Sequence, residues 1–499
     1  MRQCYNRLDM DTCHEVGAYI EQEALLQRGQ TLVAAVSGGA DSLCMMDCLY
    51  RLGYRLIVAH LDHQLREESR NEAEVVRQLA ADYGLQVVVG REDVAGFAQT
   101  GTSLEEAARL VRYRFLVKVA RQHGVETIAT GHTSDDQAET VLMHFLRGAG
   151  ISGLRGMLPA TALENWVGIP DAEGLTLIRP LLRLTRHQTQ THCESVGLNP
   201  IHDPSNLDPT FFRNRLRHEL LPLLETYNPG IKAVLNRTAR VMAAAAQWNK
   251  SLVGACWDRV VRDVEERALA LRVDVFLEQP LALRRAILRE MVGKLRPTLR
   301  DVGFEVIDRA CQFIEVRIRG KRMTLLGGLE MLHQKDEVYM YGPDAALAFP
   351  EYPQLSPSGH IELRVPGRVE LASGWMMVAS EEQVTPHMLE AIKENRTGQI
   401  AAMDAACLGA PFVVRSPRSG DRIRPLGMKG SVKVAELFVN NHIPQPARSR
   451  WPIVVCGDLI VWVSGLRMSD EVRLTKTSRV AVVLRLQEPK EGGRDETKI

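Results

Sequence analysis

An apolar run that ends in a glycine-rich turn is the feature of this sequence that most constrains its fold. Residues 32–36 are Leu-Val-Ala-Ala-Val, and residues 37–42 are Ser-Gly-Gly-Ala-Asp-Ser. The run predicts a buried strand, and the paired glycines allow a backbone with positive φ that approaches a ligand closely. Ser37, Ser42 and the amides that open the next helix supply donors for an anion. The segment therefore predicts a strand, a phosphate-binding turn and a helix in succession.

Asp41 is unexpected in such a turn, because a carboxylate beside bound phosphates would repel them. A divalent cation between the two groups removes the repulsion, so we expect Asp41 to be a Mg²⁺ ligand. The more familiar nucleotide motif, in which Gly-Lys-Ser/Thr closes a longer loop, is absent from the sequence. For six residues alone, an ordinary glycine-rich turn between a strand and a helix is the alternative.

Strands and helices alternate through the first part of the chain. Strand-like apolar runs lie at residues 31–36, 55–59, 85–90 and 126–130, and helical patterns lie at 13–27, 41–52, 70–84 and 103–123. This alternation predicts an α/β fold with a doubly wound parallel sheet, since βαβ crossovers are right-handed. Ligands of such sheets bind beyond the carboxyl ends of the strands. The polar segments 37–42, 61–66 and 131–136 all fall at such ends.

The pattern changes along the rest of the chain. We predict an α/β domain over residues 1–222, a mainly helical domain over 223–345, a linker over 346–359, a small α+β domain over 360–487 and a disordered charged tail over 488–499. The best helical segments after the first domain's core are 213–227, 231–250, 281–294 and 300–317, with short strands at 322–341. The proline content of the third segment is the reason for assigning a linker.

Composition narrows the class of protein. A formal net charge of +1 excludes a uniformly basic nucleic-acid binder, so any RNA contact depends on local patches. The nine cysteines include no Cys-x-x-Cys pair, which argues against a structural zinc or iron–sulfur cluster and is typical of a reducing cytosol. Cys44 and Cys48, one helical turn apart, are expected to pack in the core. With no apolar run of ~18 residues and no signal-peptide pattern, we predict a cytoplasmic protein without a membrane partner.

A second polar segment, residues 131–140, follows a predicted strand and opens a helix. Asp136 and Glu139 are three residues apart, so both carboxylates share one face of the first helical turn. His132 can join them from the preceding loop. Acidic residues here also suit a helix N-cap and the helix dipole, which is the alternative for the isolated segment. Beside a phosphate-binding turn, we favour a substrate site.

Arg109 and Arg112 lie one turn apart on the helix predicted at 103–123. Their spacing suits the binding of phosphates or of an activated base. Glu105 and Arg109 also match an ordinary intrahelical ion pair, so Arg112 is the better functional candidate.

Local arginine clusters are the candidates for RNA contact. The two sets are Arg213, Arg215 and Arg217, and Arg415, Arg418, Arg422 and Arg424. Any one such cluster is more often a solvated charged face. Several clusters in a nearly neutral chain favour contact with a polyanion.

Six segments, taken in order, resemble tRNA(Ile)-lysidine synthases. They are Ser37–Ser42, Leu61–Arg66, Gly131–Thr140, Arg147–Gly150, Ile178–Leu182 and Asp203–Asn206. The first is similar to the PP-loop of the ATP pyrophosphatases, which cleave ATP between the α and β phosphates. The resemblance is strong over residues 15–225 and extends to 415–465.

The resemblance implies a fold like that of the adenine nucleotide α-hydrolases and a reaction that uses ATP and Mg²⁺. In this family, ATP adenylates the C2 oxygen of the wobble cytidine in an isoleucine tRNA with a CAU anticodon, and free L-lysine then displaces AMP. The two later domains are expected to bind tRNA, and the family often forms homodimers.

The resemblance also implies site residues. The reaction would involve Asp41, Arg112, His132, Asp136 and Glu139, and the nucleotide would contact Ser37, Gly38, Gly39, Ala40, Asp41, Ser42, His63 and Gly131. Since the lysine side chain has a pKa of ~10.4, only about one molecule in 10³ is a free amine at neutral pH. Asp136 and Glu139 are the candidates for holding that ammonium or taking its proton, with His132 as a further candidate.

Another PP-loop ATP pyrophosphatase is the alternative, such as a tRNA-thiolating enzyme or an amide synthetase. The missing Cys-x-x-Cys pair disfavours thiolation, and the absence of cysteine at position 2 disfavours glutamine-dependent synthesis. A non-catalytic RNA-binding protein would be expected to have a damaged loop or to lack the carboxylates, whereas Asp41, Asp136 and Glu139 are all present.

Overall fold

The computed structural model of the protein describes residues 7–62, 69–92, 94, 104–164, 166, 168–201, 208–265, 267–299, 302–334, 336–342, 345, 349, 351–356, 360–386, 388, 398–409, 411–443 and 445–489. The chain divides into two compact units, Met1–Leu252 and Val253–Ile499. His63 and Arg66, and most of the predicted tail, lie outside the described residues.

A six-stranded sheet forms the centre of the first unit. Its strands are β1 (Thr31–Ala35), β2 (Arg55–Asp62), β3 (Gln86–Arg91), β4 (Thr127–Thr130), β5 (Ala160–Ala162) and β6 (Thr176–Ile178). The order is β3-β2-β1-β4-β6-β5, with β5 the antiparallel edge strand and all other pairs parallel. The predicted doubly wound parallel sheet is confirmed. The strand order reverses beside β1, so the loops after β1 and β4 meet at the position where such sheets bind ligands.

Helices cover both faces of this sheet. They are α1 (Arg7–Gln22), α2 (Ala40–Arg51), α3 (Ser69–Asp82), α4 (Leu104–Gln122), α5 (Ser134–Leu146), α6 (Ile151–Leu154) and α7 (Arg186–Ser195). Successive residues of β1 point to opposite faces: Leu32 joins one buried cluster and Val33 the other. Because both faces are buried, the strand is a continuous apolar run.

The helix predicted at 13–27 ends earlier than expected, at Gln22. Ala24 takes a left-handed φ of 50°, and the Leu25 amide donates to the Ile20 carbonyl at 2.9 Å. This closing turn stops the helix without a glycine.

A helical stretch follows the sheet. It consists of α8 (Phe212–Arg215), a π-helical turn (Leu216–Leu220), α9 (Leu221–Tyr227) and α10 (Ile231–Val260). The π turn shifts the helical register by one residue, and such turns are frequent at functional sites.

The second unit begins with an antiparallel sheet of order β7-β8-β11-β10-β9 and three helices. The elements are β7 (Val261–Glu265), β8 (Ala268–Arg272), α11 (Val273–Leu277), α12 (Leu281–Leu295), α13 (Phe304–Glu315), β9 (Arg322–Thr324), β10 (Glu330–Gln334) and β11 (Glu337–Tyr341). The β7–β8 hairpin lies within a stretch that the sequence indicated as helical. Val261, Leu269 and Leu271 of this hairpin are buried against the helices of this unit, so tertiary packing decides the conformation.

In its described residues, the rest of the second unit is mostly β-structure with short helices. The elements are β12 (His360–Leu363), β13 (Gly367–Glu370), β14 (Met376–Gln383), β15 (Ile400–Asp404), β16 (Phe412–Arg415), β17 (Arg422–Ile423), β18 (Val432–Lys433), α14 (Val434–Asn440), α15 (Gln445–Arg448), β19 (Ile453–Cys456), β20 (Leu459–Val463), β21 (Arg467–Met468) and β22 (Val480–Gln487). They form sheets of order β12-β16-β19-β20-β21, β13-β14-β22-β15 and β17-β18. This is the expected small α+β arrangement.

The segment 346–359, predicted as a linker, contributes to the core where it is described. Phe349 and Leu355 are buried, and the Gln354 side chain accepts the Phe349 amide at 2.6 Å. Apolar residues between the prolines provide the burial that proline content alone did not indicate. Within the described part of the chain, no helix is long and apolar enough to cross a membrane.

Candidate active site

The turn after β1 has the geometry of a phosphate-binding loop. Gly38 has φ +92°, and a Cβ there would come within 2.5 Å of the Ile201 side chain. Gly39 is the N-cap of α2, and the Ser42 hydroxyl donates to its carbonyl at 2.9 Å. The Ser37 amide in turn donates to the Ser42 hydroxyl at 3.2 Å. These bonds fix the turn and direct the first amides of α2 toward the carboxyl ends of the strands.

Gly131 brings the loop after β4 against this turn. A Cβ at Gly131 would lie 2.8 Å from the Asp41 carbonyl oxygen and 3.0 Å from the Ser42 nitrogen. Glycine is therefore required here by the close approach of two backbones, although its φ is ordinary. The contact brings the predicted nucleotide loop and the predicted carboxylate segment into one site.

Asp41 points into this site from the first turn of α2. Thr189 of α7 donates a hydrogen bond to its Oδ1, and Arg186 Nε lies 3.6 Å from its Oδ2. Burial raises the pKa of Asp41, and Asp136 raises it further, although Thr189 and Arg186 oppose the shift. Asp41 therefore has less charge compensation than a carboxylate in a tight ion pair, which suits a cation ligand.

The two carboxylate oxygens of Asp136 have different partners. Its Oδ2 accepts hydrogen bonds from the Thr133 amide and hydroxyl, both at 2.9 Å, in the capping box that opens α5. Its Oδ1 faces Arg186 at 3.1 Å and Arg213 at 3.2 Å. Despite burial, these arginines and the Thr133 donors lower the pKa of Asp136. The helix-cap interpretation of this carboxylate is confirmed, and its second oxygen faces the arginines.

Glu139 is the most enclosed carboxylate of the site, with a side chain that is 1% exposed. Arg213 Nε donates to its Oε2 at 2.7 Å, and Arg217 Nε donates to its Oε1 at 2.7 Å. Arg217 also reaches Oε2 at 3.0 Å, so both oxygens are engaged. Two of the arginines predicted for RNA contact thus lie against the carboxylate predicted for lysine, while Arg215 of the same set is exposed.

Arg186 joins all three carboxylates. It lies within 3.6 Å of Asp41, 3.1 Å of Asp136 and 3.6 Å of Glu139. We call these residues the mixed cluster: Asp41, Asp136, Glu139, Arg186, Arg213 and Arg217. Its charges are three negative and three positive, so the cluster is neutral as it stands.

Arg186 and Thr189 are not among the site residues predicted from the sequence. Arg186 opens α7 after the N-cap Thr185, where the helix dipole disfavours a cation.

His132 lies between the mixed cluster and a second group of arginines. Its Nδ1 is 2.9 Å from the Thr130 hydroxyl. Burial lowers its pKa well below the usual value, and Arg179, Arg112 and Arg213 lower it further. His132 is therefore a neutral imidazole at physiological pH.

The second group, which we call the cationic cluster, consists of Arg112 and Arg179 around the buried Tyr113. Arg179 is 3% exposed and donates to the Leu158 carbonyl at 2.6 Å and the Thr161 hydroxyl at 3.0 Å. The Nε atoms of Arg112 and Arg179 are buried and have no hydrogen-bond partner among the described residues.

Charge dominates the cationic cluster. Burial alone would raise the pKa of the Tyr113 hydroxyl, but Arg112, Arg109 and Arg179 outweigh it and the pKa is lowered. In the described part of the chain, no carboxylate lies within ion-pair distance of Arg112 or Arg179. Buried guanidinium groups without counter-ions favour binding of an anionic ligand.

The arginines of the C-terminal set differ among themselves. Arg415 forms a two-pronged pair with Asp421, at 2.8 and 2.9 Å, and the Arg418 amide donates to the same carboxylate at 2.8 Å. The Arg422 guanidinium binds Ser431, and Arg424 lies 3.6 Å from Asp470. Arg415 therefore holds the turn 415–421, whereas the side chains of Arg418 and Arg422 are exposed.

Comparisons with known proteins agree with the fold and with the family resemblance. A PP-loop domain model matches residues 12–224, and a TilS substrate C-terminal domain model matches residues 412–484. With the loop geometry and the parallel sheet, these matches define a PP-loop enzyme that uses ATP.

The full-length relatives are more specific. The tRNA(Ile)-lysidine synthase of Dehalococcoides mccartyi is 33% identical over 480 residues, covering 93% of this chain and 97% of that protein. That of Geobacter sulfurreducens is 32% identical over 478 residues, covering 95% and 96%. The chain belongs to the tRNA(Ile)-lysidine synthase family. The family predicted from the sequence motifs and the predicted ligase class are confirmed, and the alternative of another PP-loop ATP pyrophosphatase is not favoured.

Proposed function

We propose that the protein ligates free L-lysine to C2 of the wobble cytidine in an isoleucine tRNA with a CAU anticodon. The observation that carries the proposal is the meeting of three carboxylates, from α2 and α5, beside the PP-loop. A PP-loop alone requires only ATP, whereas paired carboxylates beside it suit a cationic amine substrate.

The proposed reaction has two steps, and in each step one bond forms while another breaks. The cytidine O2 first attacks the α-phosphorus of ATP, the bond to the β-phosphate oxygen breaks, and pyrophosphate leaves. The lysine ε-nitrogen then attacks C2, the C2–O bond breaks, AMP leaves with that oxygen, and the amine loses its excess proton. Adenylation turns a poor leaving oxygen into a good one, which explains why ATP must be consumed.

The loop residues hold the nucleotide in this scheme. Ser37, Ser42 and the first amides of α2 would bind the phosphates, and the backbone contact at Gly131 keeps the turn in place. Asp41 fits a Mg²⁺ ligand, because burial and Asp136 leave its carboxylate incompletely compensated. Mg²⁺ would supply charge neutralisation for the departing pyrophosphate.

Asp136 is the better carboxylate for holding the lysine ammonium. Its lowered pKa keeps it anionic at neutral pH, and its Oδ1 faces the site while Oδ2 caps α5. The same lowered pKa makes it a weak base, so we assign it to binding and orientation rather than to final proton uptake. His132, which is neutral, can accept a hydrogen bond or donate one to the base or the ribose.

Glu139 cannot receive lysine while Arg213 and Arg217 occupy both of its oxygens, and Arg213 also lies 3.2 Å from Asp136 Oδ1. The phosphates of a tRNA offer those arginines an alternative partner. We therefore propose that tRNA binding draws them from Glu139 and thereby completes the lysine site. Calorimetry should then detect lysine binding at least tenfold more tightly with tRNA and a non-hydrolysable ATP analogue than without them; equal affinities would contradict this order.

The cationic cluster receives the anionic part of a substrate in this scheme. Arg112 and Arg179 suit a phosphate or a carboxylate, since both present buried donors without partners among the described residues. We further propose a cytoplasmic location and a homodimer; sedimentation of the purified protein tests the latter.

The experiment that tests the proposed function supplies labelled lysine, ATP and a transcript of the isoleucine tRNA. We expect label in the RNA and one pyrophosphate released per lysine incorporated. The matched control is the same transcript with guanosine in place of the wobble cytidine, which should take up no label. Pyrophosphate released only with a sulfur donor or another amine would favour the alternative PP-loop reaction.

A further inference from the structure

Thiols and a histidine converge on the helices that support the PP-loop, and the proposed reaction does not use them. Cys13 of α1, Cys48 of α2 and His192 of α7 place one potential ligand atom each within 4.8 Å of the others. The two Sγ atoms are 3.1 Å apart, and Cys48 Sγ is 3.8 Å from His192 Nε2. Three helices, distant in sequence, thus supply three metal-binding atoms to one point.

We propose that Cys13, Cys48 and His192 bind one zinc ion, with a water molecule as the fourth ligand. Asp47 Oδ2 lies 2.7 Å from His192 Nε2, so this carboxylate lies beside the site as a counter-ion. Zinc prefers a tetrahedral set that includes thiolate and imidazole ligands.

The geometry needs only small adjustments to receive the ion. With Zn–S bonds of ~2.3 Å, two sulfurs of a tetrahedral site lie about 3.8 Å apart, and a sulfur and a nitrogen about 3.5 Å. The observed sulfur–sulfur distance of 3.1 Å would therefore open by about 0.7 Å. The Cys48–His192 distance of 3.8 Å is already close to its value in such a site.

Charge balance favours a divalent ion. Arg51 Nε lies 2.7 Å from Asp47 Oδ2, and the Tyr83 hydroxyl donates to Asp47 Oδ1 at 2.7 Å. Two thiolates, one carboxylate, Zn²⁺ and one guanidinium sum to zero, as do two thiols with the Asp47–Arg51 pair alone. Zinc therefore replaces two thiol protons without leaving net charge in the core.

A redox pair and simple packing explain the cluster less well. The hydrogen bond to Cys48 and burial raise the pKa of Cys13, so a reactive thiolate is scarce without a metal. A hydrogen bond between His192 Nε2 and Asp47 explains the histidine, but packing does not explain why two thiols meet that imidazole at one point.

The zinc would act on the structure of the site. α2 begins at the PP-loop and carries Asp41, and α7 carries Arg186 and Thr189, which contact Asp41. An ion joining Cys48 to His192 would tie these two helices together behind the loop.

Metal analysis of the purified, tag-free chain tests the proposal directly. We expect about one zinc per chain by mass spectrometry when no chelator is used, and a loss of roughly tenfold or more in Cys13→Ser and in Cys48→Ser. The matched control is Cys193→Ser, a buried cysteine of the same core whose Sγ donates to the Ala40 carbonyl. Zinc retained by both ligand variants would overturn the proposal.

A second measurement does not depend on the folding of any variant. The wild-type chain, stripped of metal and kept reduced, is titrated with Co²⁺. One equivalent should produce thiolate-to-cobalt charge-transfer absorption, and zinc should abolish it. Co²⁺ binding without that absorption, as expected for the PP-loop carboxylate alone, would overturn the proposal. A Cys13–Cys48 disulfide in freshly isolated protein would overturn it as well.

Discussion

Two groups of arginines in the first unit lie near His132. They differ in whether carboxylates compensate their positive charges. In the mixed cluster, Arg186, Arg213 and Arg217 meet three carboxylates. In the cationic cluster, Arg112 and Arg179 have no carboxylate within ion-pair distance among the described residues.

The difference separates two uses of the same side chain. An arginine paired with a buried carboxylate is an internal counter-ion, and its removal leaves that carboxylate uncompensated. An arginine without a counter-ion is available to bind an anionic ligand. Its replacement removes an unpaired buried donor and therefore does not destabilise the ligand-free protein. The two clusters should therefore respond differently to substitution, pH and ligands.

The largest expected effect is a loss of lysine transfer when Asp136, which faces the arginines, is replaced. Asp136→Asn keeps the size and the capping oxygen of the side chain but loses the charge that would hold the lysine ammonium. We expect lysine transfer to fall about 10²–10³-fold, while adenylated tRNA still forms in a single turnover. Rapid-quench assays with labelled ATP and labelled lysine separate the two steps. Asp82→Asn, on the exposed face of α3, is the control and should leave both steps unchanged; equal loss of both steps in Asp136→Asn would remove its assignment to lysine.

The next largest effect is on folding stability, which should change in opposite directions when an arginine of each cluster is replaced. Arg186→Met should destabilise the ligand-free protein by about 2–3 kcal/mol, since three carboxylates lose a shared partner. Arg112→Met should leave stability unchanged or raise it by about 0.5–1 kcal/mol, since an unpaired buried donor is removed. Urea unfolding in phosphate-free buffer measures both, and both variants should lose activity. Destabilisation of similar size in the two variants would contradict the different roles assigned to the two clusters.

A smaller effect is expected in the pH dependence of folding stability. The pKa of Asp136 is lowered, so its ionised form stabilises the fold above the unfolded pKa of ~3.9, and that stability is lost as pH falls through the folded pKa. The pKa of Asp41 is raised, so its ionisation destabilises the fold at neutral pH, and the cost disappears as pH falls through the raised pKa toward ~3.9.

The two carboxylates should therefore differ in sign when neutralised. Without Mg²⁺ at pH 7, Asp41→Asn should raise the melting temperature by a few degrees and Asp136→Asn should lower it, each by about 1 kcal/mol in stability. The Asp41 difference should disappear as pH falls to ~3.9, and the Asp136 difference should shrink as pH falls further through its lowered pKa. Thermal unfolding monitored by circular dichroism between pH 3 and 7 gives the comparison, and shifts of the same sign would contradict the assigned environments.

The sequence predicted the parts of this site that local pattern determines. Apolar runs located the strands, and Ser37–Ser42 and Asp136 followed from turn chemistry at strand ends. The partners of those residues could not be found in the same way. Arg186 lies 50 residues from Asp136 along the chain, and no local periodicity connects the two.

The misassigned segments have the same physical cause. The β7–β8 hairpin and the packed residues Phe349 and Leu355 depend on long-range burial, which overrides helix pattern and proline content. The cysteines show this most clearly, because no local spacing connects Cys13 and Cys48 with His192, which three separate helices bring together.

The smallest expected effect extends the comparison to the second unit. The exposed Arg418 and Arg422 resemble arginines available to an external anion, whereas Arg415 is an internal counter-ion of Asp421, whose pKa it lowers despite burial. Arg418→Gln and Arg422→Gln should each weaken tRNA binding only a few-fold and reduce the slope of log affinity against log salt by about one. Arg415→Gln should instead lower stability by about 1–2 kcal/mol, with no change in that slope. Filter binding at several salt concentrations, together with urea unfolding, separates the two outcomes; a change of slope in Arg415→Gln at unchanged stability would show that charge pairing in the fold does not distinguish structural from RNA-binding arginines.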